Sequence, residues 1–379
     1  MLQFLRLVLV SLAISAGVVS PANADDTANP DTSGFLNVKT VLDSFVDPNT
    51  TPTSGTVSGY TFGITNKSGL LFSASAGDYS FNQVIGIASA TKLPSALTIL
   101  TLVDAGLLDL DEPVVRYFRR LDPKFPWPRE KHPITMRMLL SHTAGIPSPP
   151  YPQTTDCLGD RSTTLRQCAV GIAMTPLDYP PGSTFSYSGA DYQVAGYLTE
   201  LLSGMSWQDY FALKMATPLG LSTFTYGTTE NPRIAGGGIT NLDDYIRILR
   251  MVLNRGFSDS GQQVVSSAMI CALETNEVAG LPVGFTPYPP NEVADYPGYG
   301  LSLWISSPSL YVSYGSAGPE FSDAGLYGAT PWFDLSEGYA SFLMIFQNTN
   351  VGISMWNAAR PVIIGDLNAI SSVTTTPAN

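Results

Sequence analysis

Strand-like sequence occurs at both ends of this chain, and a long helical block separates the two groups. Val57–Ile64 and Leu70–Ser75 read as strands joined by the turn Asn66-Lys67-Ser68-Gly69. The strand pattern returns after Tyr296, in Gly300–Ser306, Leu310–Tyr314, Leu326–Phe333 and Ala340–Gln347. Between them, from about Asp109 to Pro290, the reading is mainly helical, with Pro-rich breaks at Pro123–Pro133 and Pro147–Pro152. Two distant strand groups that share one sheet, with the helical block packed beside it, give a mixed α+β fold. The 379 residues are 44% hydrophobic and only 13% charged, which supplies the core such a fold needs.

The first residues read as a secretory signal over 1–24. Arg6 supplies the basic start, Leu7–Val19 is an apolar run too short to span a bilayer, and Ala22-Asn23-Ala24 is a small-residue cleavage pattern. A mature chain would begin at Asp25, with a flexible polar stretch over 25–34. The remainder, 35–379, reads as one domain: a sheet part at about 35–108 and 296–365, and a mainly helical part at about 109–295. Export to the periplasm or medium is expected, without stable membrane insertion after cleavage. In an oxidising compartment Cys157 and Cys168 could close a short loop; the alternative is three idle thiols, with Cys271 the third. Only two histidines are present, His132 and His142, and no Cys/His cluster has ligand spacing, so no metal and no cofactor is expected. A formal charge of -12 leaves no basic footprint for nucleic acid.

The chemistry-bearing segment begins at Ser89-Ala90-Thr91-Lys92. It opens a stretch, Thr91–Gly106, with apolar residues at helical period and a glycine stop. Spacing i to i+3 puts Ser89 and Lys92 on one helix face. A serine hydroxyl needs a base to become a nucleophile, and a desolvated lysine whose pKa is lowered can be that base. Alone, the motif fits an N-cap serine and a surface lysine equally well.

The flanking segments change that. Ile87 to Lys92 followed by Leu102 to Pro113 resembles the β-lactamase-related serine hydrolases, which comprise class C β-lactamases, D,D-peptidases and family VIII-type esterases. Ile134-Thr135 to Pro147, Pro181-Gly182-Ser183 through Tyr187-Ser188, and Gly236-Gly237-Gly238-Ile239 before Asp243 are similar to further segments of that family, in order. The resemblance implies a sandwich with a central, mostly antiparallel sheet flanked by helices, plus a helical subdomain, with the site between them. It also implies that Tyr187 relays the proton, coupled with Lys92, and that Gly189 stands where the family usually has Asn. The third motif, usually K-T-G or H-x-G, falls on Asp323-Ala324-Gly325, with Ser316-Ala317-Gly318 as a second candidate. Asp323 and Gly325 are then expected at the substrate. The oxyanion hole would use the backbone N–H groups of Ser89 and Leu326. His142 is expected to be a structural histidine remote from these motifs.

The expected partner is a small-molecule ester or amide. An ester is favoured, because Asp323 at the substrate would repel a carboxylate. A D-Ala-D-Ala carboxypeptidase, a β-lactamase, and a non-catalytic sensor on the same fold are the alternatives.

Overall fold

The structure is a computed structural model, and it describes residues 32–148, 157–288 and 292–374. The signal expected over 1–24 and most of the 25–34 stretch lie outside these residues. Helix α1 (Leu36–Asp43) leads to the hairpin β1 (Gly59–Asn66) and β2 (Leu70–Gly77). Helix α2 (Lys92–Asp104) follows, then, within the helical block, α3 (Gly189–Ser203) and α4 (Leu242–Leu253). The chain returns with β3 (Gly298–Tyr299), β4 (Trp304–Ile305), β5 (Glu320–Ser322), β6 (Thr330–Asp334) and β7 (Tyr339–Met344). Helix α5 (Thr349–Thr374) ends the described chain. The seven strands form one sheet in the order β2-β1-β7-β6-β5-β4-β3, with every neighbouring pair antiparallel. The two strand groups therefore do share a sheet, and the join is β1 against β7, with Thr61 opposite Met344.

Strand residues alternate between two cores. On β7, Ala340, Phe342 and Met344 enter the core on the helical side, whereas Tyr339 and Leu343 enter the other. On β6, Phe333 and Trp332 divide the same way. A sheet covered on both faces needs apolar residues at both parities. Helix α4 covers the first face, where Tyr245 stacks on Phe342 with ring centroids 4.2 Å apart. Helices α1 and α5 cover the second, with Trp356 5.9 Å from Trp332 and Asn37 donating to Asp366 at 2.9 Å. Large-to-small changes at such positions cost about 2–5 kcal/mol.

Helix α2 is buried on nearly every side, from Lys92 to Leu102, and ends at Gly106 with φ +67°. One expected strand is corrected: Leu310–Tyr314 falls in the helix Pro308–Ser313. The Ser307 hydroxyl accepts from the Leu310 N–H, and Pro308 takes the first helical position, two start signals that outweigh the apolar alternation. Within Gly300–Ser306 only Trp304–Ile305 pairs as strand, and Leu326 sits in the loop ahead of β6. Cys157 and Cys168 are joined by a disulfide, with Cα atoms 5.3 Å apart, and Cys271 is free and exposed. Among the described residues no helix is long and apolar enough to cross a membrane.

Candidate active site

Ser89 lies in a single 3-10 turn, Ala88–Thr91, that runs straight into α2. The turn is entered through Ala88 at φ +46°, a left-handed conformation that non-glycine residues rarely adopt. Gly325 explains how the turn is held: a Cβ there would lie 2.3 Å from the Ile87 carbonyl oxygen, so only glycine lets the third-motif loop approach. Lys92 is 2% exposed. Its Nζ donates to Ser89 Oγ at 3.1 Å and to the Ala235 carbonyl at 2.9 Å. Burial drives the Lys92 pKa down to about 7; Asp323 and Asp191 oppose the shift and Arg233 adds to it. An amine that is neutral near pH 7 and within hydrogen-bond reach of a hydroxyl can accept its proton.

Tyr187 is packed beside this pair. Its ring centroid is 4.6 Å from Lys92 Nζ and its ring stacks on Trp304 at 5.6 Å. The Tyr187 N–H donates to the Phe285 carbonyl, which ties this segment to the cleft wall. Gly189 begins α3 and lines the cleft, so the side-chain amide expected of the family is replaced by open space.

The sequence expected His142 to be remote from the motifs, and the structure corrects this. His142 is fully buried and its ring lies 4.5 Å from that of Tyr187. Its Nδ1 is 3.0 Å from Asp191 Oδ2 and accepts the Ser188 N–H at 3.2 Å. Burial holds Asp191 well above the usual carboxylate range and His142 well below the usual imidazole range. Burial thus works against a charge on either member of this pair.

The cleft has a volume of about 380 Å³. Ser89, Lys92, Tyr187, Gly189, Ala324 and Leu326 line it, together with aromatic walls from Phe285, Tyr288, Trp304 and Tyr327. Among the described residues, neither the Ser89 nor the Leu326 N–H has an internal acceptor, which leaves two backbone donors at the cleft.

Asp323 does not take its expected place. It is fully buried, does not line the cleft, and its Oδ2 accepts the Leu93 N–H at 2.8 Å. The carboxyl caps the first turn of α2 from the neighbouring strand, where the orphan N–H groups and helix dipole favour it. Burial raises its pKa, with Lys92 opposing. Gly325 is likewise behind the cleft wall, against Ile87. Along this loop Asp323 and Gly325 point inward, whereas Ala324, Leu326 and Tyr327 face the cavity. The second candidate, Ser316, is at another place altogether, bonded to Asp334 Oδ2 at 2.5 Å. Sequence reasoning missed Arg233 and Ala235. The Gly236-Gly237-Gly238 run that follows them was matched to a family segment, and that match was the available signal.

The sequence model of the Beta-lactamase family matches residues 42–362. The chain is 32% identical over 180 residues to "Acyltransferase calJ" of Penicillium decumbens, covering 41% of this chain and 42% of that protein. It is 29% identical over 245 residues to "Penicillin-binding protein 4" of Amycolatopsis lactamdurans, covering 56% of this chain and 62% of that one. The matched stretches thus span less than two thirds of these relatives. Among solved structures, a family VIII carboxylesterase shares the fold with a TM-score of 0.68 at 18% identity, covering 87% of this chain and 98% of that one. With the family matched across most of its length, and a buried lysine set against a serine at the head of the central helix, the chain belongs to the Beta-lactamase family of serine hydrolases.

Proposed function

We propose that this chain is an exported hydrolase that cleaves carboxylic esters, and more slowly amides, through an acyl-enzyme on Ser89. One observation carries the reading: Lys92 Nζ lies 3.1 Å from Ser89 Oγ in a buried setting that lowers its pKa toward neutrality. Neutral Lys92 takes the Ser89 proton as Oγ attacks the substrate carbonyl. The tetrahedral oxyanion is held by the backbone N–H groups of Ser89 and Leu326. Tyr187 passes the proton to the departing oxygen or nitrogen. Water then attacks the acyl-enzyme, with the same groups acting in reverse.

The ester preference rests on two features. Gly189 supplies no side-chain amide to orient a substrate amide, and an ester carries the better leaving group. The repulsion argued from Asp323 no longer contributes, because that carboxyl is buried against α2. Export is supported by the Cys157–Cys168 disulfide, since such bonds persist in oxidising compartments.

The test is turnover of p-nitrophenyl esters, nitrocefin and a D-Ala-D-Ala peptide, with fluorophosphonate labelling alongside. Wild type should label once and hydrolyse short esters fastest. Ser89→Ala should lose labelling and on the order of 10³-fold or more in rate. A Ser89→Ala protein that keeps more than about a tenth of the rate would sink the mechanism, because that is a loss of only ~1.4 kcal/mol. Nitrocefin turned over faster than any ester would replace the esterase reading with a β-lactamase one.

A further inference from the structure

The cleft contains one charged side chain for which acyl transfer has no task. Arg233 lines the same cavity as Ser89 and Lys92, and it is exposed. Its side chain makes no ion pair or hydrogen bond to another described residue. Its backbone, by contrast, is fixed. The N–H groups of Gly236 and Gly237 both donate to the Arg233 carbonyl, at 3.1 and 2.7 Å. The residues on either side of it are held by Gln193, whose Nε2 donates to the Pro232 carbonyl at 2.9 Å and whose Oε1 accepts the Ile234 N–H at 3.2 Å. Two residues on, the Ala235 carbonyl receives Lys92. The segment that carries the guanidinium is therefore the same one that holds the catalytic amine.

The position is close to the nucleophile. A Cβ placed on Gly236 would lie 3.6 Å from Arg233 Nε and 3.7 Å from the Ala88 carbonyl oxygen, so the guanidinium root borders the Ser89 turn. The charge balance of the cleft is one-sided. Among the described residues its basic lining side chains are Lys92 and Arg233, and no carboxylate lines it, in a protein of net charge -12. Asp323 and Asp191 are both buried behind the wall. A cationic spot in a partly enclosed cleft of an acidic protein concentrates anionic ligands.

We infer that Arg233 is a specificity residue that pairs with an acidic group on the substrate, a carboxylate foremost, reaching the wall formed by 233–236. The guanidinium fork matches a carboxylate in two parallel hydrogen bonds. The acid must reach this wall rather than the strand side, where the third motif offers only Ala324 and the exposed Leu326. This rests on the acyl-enzyme reading of Ser89.

The experiment uses two matched ester pairs on the whole protein. p-Nitrophenyl butyrate against p-nitrophenyl hemiglutarate puts the acid on the acyl side. Phenyl acetate against 3-carboxyphenyl acetate puts it on the leaving-group side. kcat and KM are measured for wild type, Arg233→Gln and Arg233→Lys. Removing Arg233 also alters the charge around Lys92, an effect common to both members of a pair, so the readout is the ratio of acid-bearing to neutral ester. In at least one pair Arg233→Gln should lower that ratio of kcat/KM on the order of 10- to 100-fold, chiefly through KM, and Arg233→Lys should recover part of it. The wild-type ratio should also fall as salt rises. A ratio unchanged by Arg233→Gln in both pairs overturns the inference while Ser89 labelling and neutral-ester turnover leave the parent reading standing. A wild type that neither labels at Ser89 nor turns over any of the four esters overturns the parent reading and this inference with it.

Discussion

Two buried cations sit on opposite sides of the same sheet, and they are treated in opposite ways. Arg360, on α5, pairs with Glu320 of β5 at 3.0 Å, and both side chains are essentially inaccessible. Tyr296 accepts a second bond from the same guanidinium. Burial alone would lower the Arg360 pKa, but Glu320 and the surrounding tyrosines outweigh it and the guanidinium stays charged. Three residues beyond Glu320, Asp323 faces the other cation, Lys92. Here no salt bridge forms: the amine bonds a hydroxyl and a carbonyl, and the carboxyl bonds the backbone of α2. A buried cation given a carboxylate as direct partner is locked in its charged form. A buried cation given only neutral acceptors is left able to release its proton. The first arrangement fastens a helix to a sheet, and the second suits a base.

The largest expected effect comes from removing the unpaired cation. Lys92→Met keeps the volume and the apolar stem but no proton acceptor. Esterase turnover should fall on the order of 10³-fold or more, while urea unfolding shows little loss of stability. If Lys92→Met instead unfolds the protein and Arg360→Met abolishes turnover of the folded form, the two roles are reversed.

Arg360→Met should leave Glu320 buried without its partner. The expected cost is about 3–5 kcal/mol by urea denaturation, with activity per folded molecule retained. Replacing the pair together, Arg360→Met with Glu320→Leu, should recover most of that loss. A double variant no more stable than the single one would mean that Glu320 is not held by Arg360. Burial already raises Glu320 to about 7, with Arg360 opposing, so the single variant should carry this carboxyl protonated.

The smallest effect, and the sharpest test of the contrast, is Asp323→Asn. The asparagine oxygen can still accept the Leu93 N–H, so the cap survives and the charge is lost. Lys92 is faced by Asp323 and Asp191, which raise its pKa, by Arg233, which lowers it, and by the rings of Tyr187 and Tyr192. Asp323 and Lys92 titrate as a linked pair, so taking away the carboxyl that opposes the burial of Lys92 lowers the Lys92 pKa further. Activity appears as pH rises through that pKa, so the acidic limb of kcat/KM should move to lower pH, by up to about one unit. A limb that stays in place or moves upward would show that the Asp323 charge does not act on Lys92.

The base of this comparison was legible in the sequence, and its setting was not. Ser89 and Lys92 follow from four residues at the head of an apolar helix, where local spacing alone puts them on one face. Asp323 was read on the wrong side because β5 is only three residues long and runs into a loop. With so short a strand, which positions face inward is set by the approach of Gly325 to Ile87, a contact between segments far apart in the chain. His142 was set apart from Tyr187 for a similar reason: the pair meet through packing across 44 intervening positions, and no local pattern records it. The paired cation went unread as well, because Pro361 inside α5 reads as a helix breaker.

The join between β1 and β7 also bears on when this protein becomes active. β1 cannot acquire its central neighbour until residues near Met344 exist, and the Leu326 donor and Gly325 buttress arrive on the same late stretch. Nearly the whole polypeptide must therefore be made, and free to collapse, before the cleft can close around Ser89. Such long-range pairing is slow to form and leaves strand edges open in the interval. A chain still being made would hold its nucleophile harmless, and turnover would begin only once the whole sheet has closed.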